Sequence, residues 1–251
     1  MLEQPQTGVQ RALTKELAEV AYKDVLRQLP VDKQAWLRSC GGPGAGGWLQ
    51  VPSCPAEVWA DRPYGAALRL RLGLIPGPSP YASFLGDTEG GAAVARHNAL
   101  RDFLAQWLKE HTLFPAPTEQ LIPELVTDDG TEARLDVVAH DDFGARILVD
   151  VAVTHAASAN APRLARAALV NGAAARTREG TKHARYQNAT DLVPFVLETG
   201  GRVGAAARAM VQRLAPVVPE MRSAAVGALW RGASARVQKA NAMMALAACA
   251  G

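Results

Sequence analysis

Two aspartates interrupt an otherwise hydrophobic β-hairpin, and this hairpin constrains the fold more than any other stretch of the chain. Residues 132–155, EARLDVVAHDDFGARILVDVAVTH, contain two runs rich in branched residues on either side of a DDFGA turn, a pattern that predicts two antiparallel strands. Pairing His140 with Arg146 across the turn places Asp136 directly opposite Asp150, on one face. The apolar residues of the first strand then lie on the other face: Leu135, Val137 and Ala139.

Two aspartates in this position require a nearby positive charge. Directly opposed side chains have Cβ atoms about 4.5 to 5.5 Å apart, and like charges so placed repel. A divalent metal ion is one answer, because two carboxylates supply oxygen ligands and leave positions open for water and a substrate phosphate. The other is structural: one aspartate caps the end of the hairpin, or pairs with an arginine such as Arg134 or Arg146. The hairpin alone is compatible with both, and a one-residue slip in register would separate the aspartates.

A lysine and a tyrosine follow downstream in the segment REGTKHARY. Glu179, Lys182 and Tyr186 lie at positions i, i+3 and i+7 of a predicted long helix over residues 161–187, so they share one face. A lysine near two metal-bound carboxylates can orient an attacking water and stabilise charge on a phosphate. The alternative is an ordinary solvated charge. Gly180 weakens such a helix by roughly 1 kcal/mol relative to alanine.

The other segments predict an α/β order of helix, three strands, helix, strand and further helices. The strongest is an amphipathic helix over residues 93–111. TEQLIPELV and DLVPFVLET complete the predicted strands, at residues 118–126 and 191–199. The breaker-rich segment 76–91 marks a domain boundary. We therefore expect three parts: an N-terminal helical region (1–92), a core (93–215) and a C-terminal helical tail (216–251).

The composition does not identify a binding partner, but it indicates the cellular compartment. The 251 residues are 49% apolar, ample for a core, and the net charge of +3 permits an anionic partner without requiring one. Three cysteines without a CxxC pair favour a reducing compartment. No signal peptide or long apolar run is evident. We expect an intracellular protein with no membrane partner, and the nucleus if its substrate is DNA.

Seven short segments carry a resemblance to a known family. Over roughly two thirds of the chain, and in that family's order, the sequence is similar to the PD-(D/E)XK, or restriction-endonuclease-like, nucleases. More specifically, it resembles the endonuclease domain at the C-terminal end of non-LTR retrotransposon polyproteins, and related open reading frames. The segments are GGPGAGGWL, ALRLRLGL, RHNALRDFL, ARLDVV, ILVDVAVTH, KHARY and VPFVLETGG.

The resemblance implies a restriction-endonuclease-like core: a helix, a three-stranded antiparallel sheet, a helix and a strand, with added N- and C-terminal helices. It implies that Asp136 and Asp150 are catalytic and bind the metal ion, and that Lys182 and Tyr186 form the KxxxY element of this branch. Glu119 matches a further acidic ligand. Two positions depart from the family pattern: Leu135 stands where proline is usual, and Ala152 where the motif lysine usually stands.

The implied activity is an endonuclease that uses Mg²⁺ or Mn²⁺ to hydrolyse phosphodiester bonds of DNA, with RNA as the alternative substrate. The alternative function is a nucleic-acid-binding or assembly protein that keeps the nuclease fold and cuts little or not at all. Five basic residues are candidate contacts to a nucleic-acid backbone, or otherwise solubilising charge: Arg96, His97, Arg101, Arg178 and Arg185.

A homodimer would suit an enzyme that cuts two strands. The C-terminal helix is the place to look for such an interface, because its sequence is apolar at several positions. These positions suit packing on the chain's own core as well as on a partner: Leu229, Trp230, Val237, Met244 and Leu246.

Overall fold

The structure, a computed structural model, describes residues 6–50, 58–74, 91–127, 130–186 and 189–248. Its helices are α1 (Gln6–Gln28), α2 (Val31–Ser39), α3 (Asp61–Arg71), α4 (Gly91–His111), α5 (Ala161–Leu169), α6 (Ala173–Arg185), α7 (Ala205–Leu214) and α8 (Pro219–Ala248), with a 3₁₀ turn at Gly47–Leu49. The strands are β1 (Thr118–Val126), β2 (Glu132–His140), β3 (Arg146–Thr154) and β4 (Leu192–Glu198).

The four strands form one mixed sheet in the order β1-β2-β3-β4. β1, β2 and β3 are antiparallel neighbours, and β4 runs parallel to β3. A parallel pair requires a crossover connection, which α5 and α6 supply. The α/β class is confirmed, as is the order of one helix, three antiparallel strands and a later fourth strand, but two helices lie between β3 and β4 where one was predicted.

The predicted long helix over residues 161–187 is wrong, because the chain breaks it into α5 and α6. Val170 is extended, with φ −120° and ψ 120°. Gly172 then adopts a left-handed conformation, φ +72°, immediately before α6. The Asn171-Gly172 dipeptide is a turn signal that favours this break. Tyr186 consequently lies just after the last turn of α6.

The main hydrophobic core lies between one face of the sheet and the helices α4, α7 and α8. Val137, Val149 and Phe195 from three strands pack there against Leu104 and Leu229. A smaller cluster covers the opposite face, where Leu148 packs with Tyr186 and Leu192.

One residue of β2 departs from the predicted alternation. Leu135 packs in the smaller cluster with Val138, and not in the main core with Val137 and Ala139. The regular two-residue alternation of β2 is therefore interrupted at Asp136, and the expected face of Leu135 is corrected.

The C-terminal helix α8 packs on the chain's own core. Leu229, Trp230 and Val237 belong to the main core, and Met244 is buried as well. Leu246 packs beside Trp48, which stacks on Trp59 at 5.4 Å between ring centroids. These five apolar residues of α8 therefore need no partner subunit to explain them.

The predicted domain boundary within residues 76–91 falls mostly outside the described residues, which resume at residue 91. Within the described ranges, no helix combines the length and apolar character needed to cross a membrane.

Candidate functional site

The register of the β2–β3 hairpin agrees with the prediction. His140 pairs with Arg146, and the regular ladder continues to Val137 and Val149. The turn between the strands is held by Asp141, whose carboxylate accepts hydrogen bonds from the amides of Phe143 (3.0 Å) and Ala145 (2.9 Å). The regular ladder ends one residue short of the aspartates, whose carboxylates lie close enough for each to affect the pKa of the other.

Asp136 is held by two donors. Its Oδ2 accepts a hydrogen bond from the backbone N–H of Val151 at 2.6 Å. Its Oδ1 lies 2.9 Å from Nε2 of His97, which comes from α4. Burial acts to raise the pKa of Asp136, but the hydrogen bond and charge of His97, together with the Val151 amide, hold that pKa below its usual value. The Asp136 carboxylate is therefore ionised and fixed in orientation.

Asp150 is more deeply buried, and among the described residues its close donor is Lys182. Lys182 Nζ, from α6, donates to its Oδ1 at 2.6 Å, and only 6% of the Asp150 side chain is exposed. Burial raises the pKa of Asp150 above its usual value; Lys182 opposes this effect and the charge of Asp136 adds to it. Within the described residues, Oδ2 of Asp150 has no hydrogen-bond partner. A buried carboxylate oxygen without a donor is costly and calls for a proton or a cation.

The basic side chains that contact the aspartates are therefore His97 and Lys182, and not an arginine of the hairpin. Arg134 lies 3.8 Å from Glu119, and Arg146 pairs with Glu124 and Asp191. The alternative in which Arg134 or Arg146 neutralises the aspartates is wrong, because both point to other acids.

Two further residues of the REGTKHARY segment have different roles. Tyr186 is buried near Asp150: burial first, and then the charge of Asp150, raise its pKa to about 12, so its phenol stays protonated. Glu179 faces away from the aspartates. Its Oε1 accepts the backbone N–H of Ala206 at 3.0 Å, in the first turn of α7, where a carboxylate stabilises the free amides and the dipole of the helix.

Glu119 lies on β1 beside the aspartates but is bound by arginines. Thr118 pairs with Val137 and Gln120 with Leu135, so Glu119 lies between these pairs, opposite Asp136. Its backbone has φ +54°. Its carboxylate forms an ion pair with Arg101 of α4 as well as with Arg134. Three acids on three adjacent strands therefore each have a basic partner.

The predicted nucleic-acid contacts differ in their surroundings. Arg96 is 2% exposed and donates to Oδ1 of Asn241 at 2.9 Å, so it ties α4 to α8. His97 and Arg101 are engaged with Asp136 and Glu119. Arg185 is exposed at the end of α6, with its guanidinium 5.6 Å from the Tyr186 ring centroid.

Arg178 lines an open cleft of about 290 Å³ together with His97 and Lys182; we call it the central cleft. The strand residues Val151, Ala152 and Val153 form its floor, and Arg96 and the start of α4 complete its wall. The side chains of Lys182 and His97 connect this cleft to the buried carboxylates. A ligand in the central cleft would therefore meet positive charge before it met the aspartates.

The described residues include no group of three or more histidine, cysteine, aspartate or glutamate side chains arranged to hold a metal ion. Any ion at the aspartates would therefore take most of its ligands from water or substrate. Mg²⁺ commonly binds in this manner, through one or two carboxylates, several waters and substrate phosphates.

The hydrogen bond of His97 to Asp136 is the part of the site that sequence reasoning missed. His97 was expected to contact a nucleic-acid backbone. A signal was present: His97 lies three and seven residues before Leu100 and Leu104, which are fully buried, so it shares the core-facing side of α4. That side packs against β2 and β3.

Neither a protein-family model nor a curated protein sequence matches the chain. The similarity to the PD-(D/E)XK nucleases therefore stays a prediction from the motifs, and the chemistry has to be argued from the residues around Asp136 and Asp150.

Proposed function

We propose that this protein is a metal-dependent endonuclease that hydrolyses phosphodiester bonds of DNA, with RNA as the alternative substrate. One observation carries the proposal: Asp136 and Asp150 lie close together beside a basic cleft, and Asp150 combines a lysine at 2.6 Å with a buried oxygen that lacks a donor among the described residues. Neighbouring buried carboxylates next to an ammonium group are costly to a fold, and clusters of this kind are enriched at catalytic sites.

Each aspartate offers a carboxylate oxygen that can bind a divalent ion. Oδ2 of Asp150 lacks a donor among the described residues and can serve as a ligand. Asp136 is already ionised and fixed by Val151 and His97, so it would join through an oxygen shared with one of these donors. When bound, Mg²⁺ or Mn²⁺ would supply positive charge that polarises the phosphate and acidifies water.

The protein's own residues would do the remaining work. Lys182, held by Asp150 at the wall of the central cleft, would stabilise the negative charge that develops on the phosphate and orient the attacking water. His97 would keep Asp136 in place and, at the same cleft, face the substrate. Tyr186 would remain a neutral phenol near Asp150 and support its position.

The restriction-endonuclease-like arrangement belongs to this proposal. In the family the lysine commonly stands two positions after the second acid, where this chain has Ala152. Ala152 is small and lines the same cleft as Lys182, so the helix lysine can occupy the space that a strand lysine would use. The observed order of helix, three antiparallel strands, helices and parallel strand supports the same assignment.

A nucleic-acid-binding protein without efficient cleavage is the second candidate. The observation that favours it is that Asp136, Asp150 and Glu119 each already have a basic partner: His97, Lys182 and Arg101. If those ion pairs persist in the presence of divalent ions, the acids serve to hold α4 and α6 against the sheet, and the basic cleft serves binding alone.

A panel of nucleic-acid substrates distinguishes the two candidate functions. Purified protein is incubated with single- and double-stranded DNA and RNA in Mg²⁺, Mn²⁺ or EDTA, beside an Asp150→Ala variant. The nuclease proposal expects cutting that requires the metal ion and is lost in the variant. Binding without cutting under all metal conditions would favour the second candidate, and cutting that survives in Asp150→Ala would exclude the proposed site.

A further inference from the structure

A second cleft lies beside the central cleft, on the other side of Arg178. It has a volume of about 320 Å³ and is bounded by the end of β3, the loop over residues 155–159, and the facing sides of α5 and α6. Arg178 lines both clefts. We call this second space the hydroxyl cleft, because Thr154, Ser158, Thr177 and Thr181 contribute to its lining.

The hydroxyl cleft has the electrostatics of an anion site. Its lining contains two arginines, Arg163 from α5 and Arg178 from α6, and no acidic residue among the described residues that form it. Guanidinium groups suit phosphate because they donate in a planar fork. Two such groups facing one small space would attract an oxyanion and repel a cation.

A buried ring nitrogen that has no partner among the described residues also lies at this cleft. His155 is 8% exposed and lines the hydroxyl cleft. Its Nδ1 lies 2.8 Å from the Thr199 hydroxyl oxygen, whereas its Nε2 is buried without a hydrogen-bond partner in the described part of the chain. Burial lowers the pKa of His155 to about 4, so the ring is neutral near pH 7. In the tautomer in which Nδ1 accepts from the Thr199 hydroxyl, Nε2 carries the hydrogen and can donate into the cleft.

The hydroxyl groups of Thr177 and Thr181 differ from that of Ser158 in whether their protons are already donated. Thr177 and Thr181 donate to the helix carbonyls of Ala173 and Thr177, at 2.9 and 3.0 Å, so their protons are already used. Ser158 instead accepts from the Asn160 amide at 3.2 Å, which leaves its own proton to donate. The lining thus combines the positive charge of Arg163 and Arg178 with a Ser158 hydroxyl that can donate, and His155 lies behind them.

We infer that the hydroxyl cleft binds a backbone phosphate of the nucleic-acid strand whose neighbouring phosphate occupies the central cleft. Arg178 and Lys182 are one turn apart on α6, about 6 Å along the helix axis. Phosphates of one strand advance about 3.4 Å per nucleotide along a duplex axis, so the two clefts suit phosphates one or two nucleotides apart. This inference rests on the proposed function, which is the reason for naming a nucleic-acid strand and not a free anion as the ligand.

The test measures binding without cleavage. A short fluorescein-labelled DNA oligonucleotide, single-stranded and duplex, is titrated with the full chain in EDTA by fluorescence anisotropy between about 50 and 200 mM salt. Arg163→Gln is compared with Arg166→Gln, an exposed arginine on the same helix that does not line the cleft. Arg163→Gln is expected to weaken binding severalfold and to reduce the slope of log affinity against log salt by about one, whereas Arg166→Gln leaves that slope unchanged.

A Ser158→Ala variant is expected to weaken binding in the same direction without changing the slope, because it removes a donor and no charge. Equal effects of the two arginine variants, or no effect of Arg163→Gln, would overturn the inference. Competition by inorganic phosphate or a nucleoside monophosphate at micromolar concentration would also overturn it, because a free small anion would then be the occupant. If Arg163-dependent binding appears although no nucleic acid is cut in Mg²⁺ or Mn²⁺, the inference stands and the nuclease proposal fails.

Discussion

Lys182 Nζ lies 2.6 Å from Oδ1 of Asp150, and both side chains are nearly buried, with 13% and 6% of their surfaces exposed. This ion pair joins α6 to the central part of the sheet across 32 residues of sequence. Removing one charge of such a pair leaves the other charge buried without an opposite charge beside it.

Replacing Lys182 should therefore destabilise the protein strongly. Lys182→Met is expected to lower the free energy of unfolding by about 3 kcal/mol, measured by urea denaturation. A double-mutant cycle with Asp150→Asn should give a coupling energy of about 2 kcal/mol, because the two groups contact each other directly. As a control, Asp24→Asn breaks the exposed pair with Arg27 on α1 and should cost less than about 1 kcal/mol. Additive effects of Lys182→Met and Asp150→Asn would contradict the contact.

The pH dependence of stability should include a contribution from His155. Its pKa is lowered from 6.5 to about 4 by burial, with the charge of Arg96 acting in the same direction. Because the unfolded chain takes up this proton at a higher pH than the folded chain, stability is lost as pH falls from about 6.5 to about 4. The loss is about 3 kcal/mol at most.

His155→Asn, which can retain a bond to Thr199, is the matched variant for this prediction. Urea denaturation at pH 7 and pH 4.5 should show a smaller acid-induced loss of stability in the variant than in the wild type. An identical loss in both proteins would show that His155 is protonated with its ordinary pKa in the folded state.

The hairpin shows how far sequence reasoning reaches. Its register followed from a short turn and from the pairing of His140 with Arg146, which are local features. Lys182 was expected near the aspartates from the REGTKHARY segment, but the contact of His97 with Asp136 was not, because His97 comes from a helix 39 residues away in sequence. Which helix face meets which strand depends on the packing of α4 and α6 on the sheet, and the sequence constrains that packing only weakly.

The sequence contains a local signal for the break between α5 and α6, but its high helix propensity favours the opposite prediction. Alanine-rich sequence favours a continuous helix over residues 161–187, but Asn171-Gly172 favours a turn.

Two of the arginines expected to contact nucleic acid illustrate a related difficulty: Arg96 and Arg101 lie five residues apart on α4, yet one ties this helix to Asn241 and the other binds Glu119. Charge alone does not reveal whether an arginine faces a ligand or the protein.

Two glycines around α6 should respond to alanine in opposite directions. Gly180 lies within the helix, and a Cβ there would meet nothing within 4 Å, so Gly180→Ala should raise the free energy of unfolding by about 1 kcal/mol. Gly172, with φ +72°, occupies a left-handed conformation, so Gly172→Ala should lower that free energy by about 1 to 2 kcal/mol. Thermal or urea unfolding measures both, and destabilisation by Gly180→Ala would show that this position lacks the open space described.

Binding of Mn²⁺ tests the acidic residues apart from catalysis. In a calorimetric titration, Asp136→Asn and Asp150→Asn should each weaken Mn²⁺ binding more than about tenfold. Glu119→Gln should change it less than about threefold, because Arg101 and Arg134 already bind that carboxylate. Unchanged binding in a variant lacking both aspartates would exclude them as ligands, and a large loss in Glu119→Gln would show that Glu119 leaves its arginines to join the ion.

The most direct test of the account is the single-turnover cleavage rate of the wild type and of Asp150→Asn in Mg²⁺, with nucleic-acid affinity measured in parallel in EDTA. The substrate is the nucleic acid that the wild type cuts best. We expect a rate at least about a hundredfold lower in Asp150→Asn, with affinity changed severalfold at most, because Asp150 serves the reaction and not the binding of the strand. Equal cleavage rates in the two proteins would contradict it.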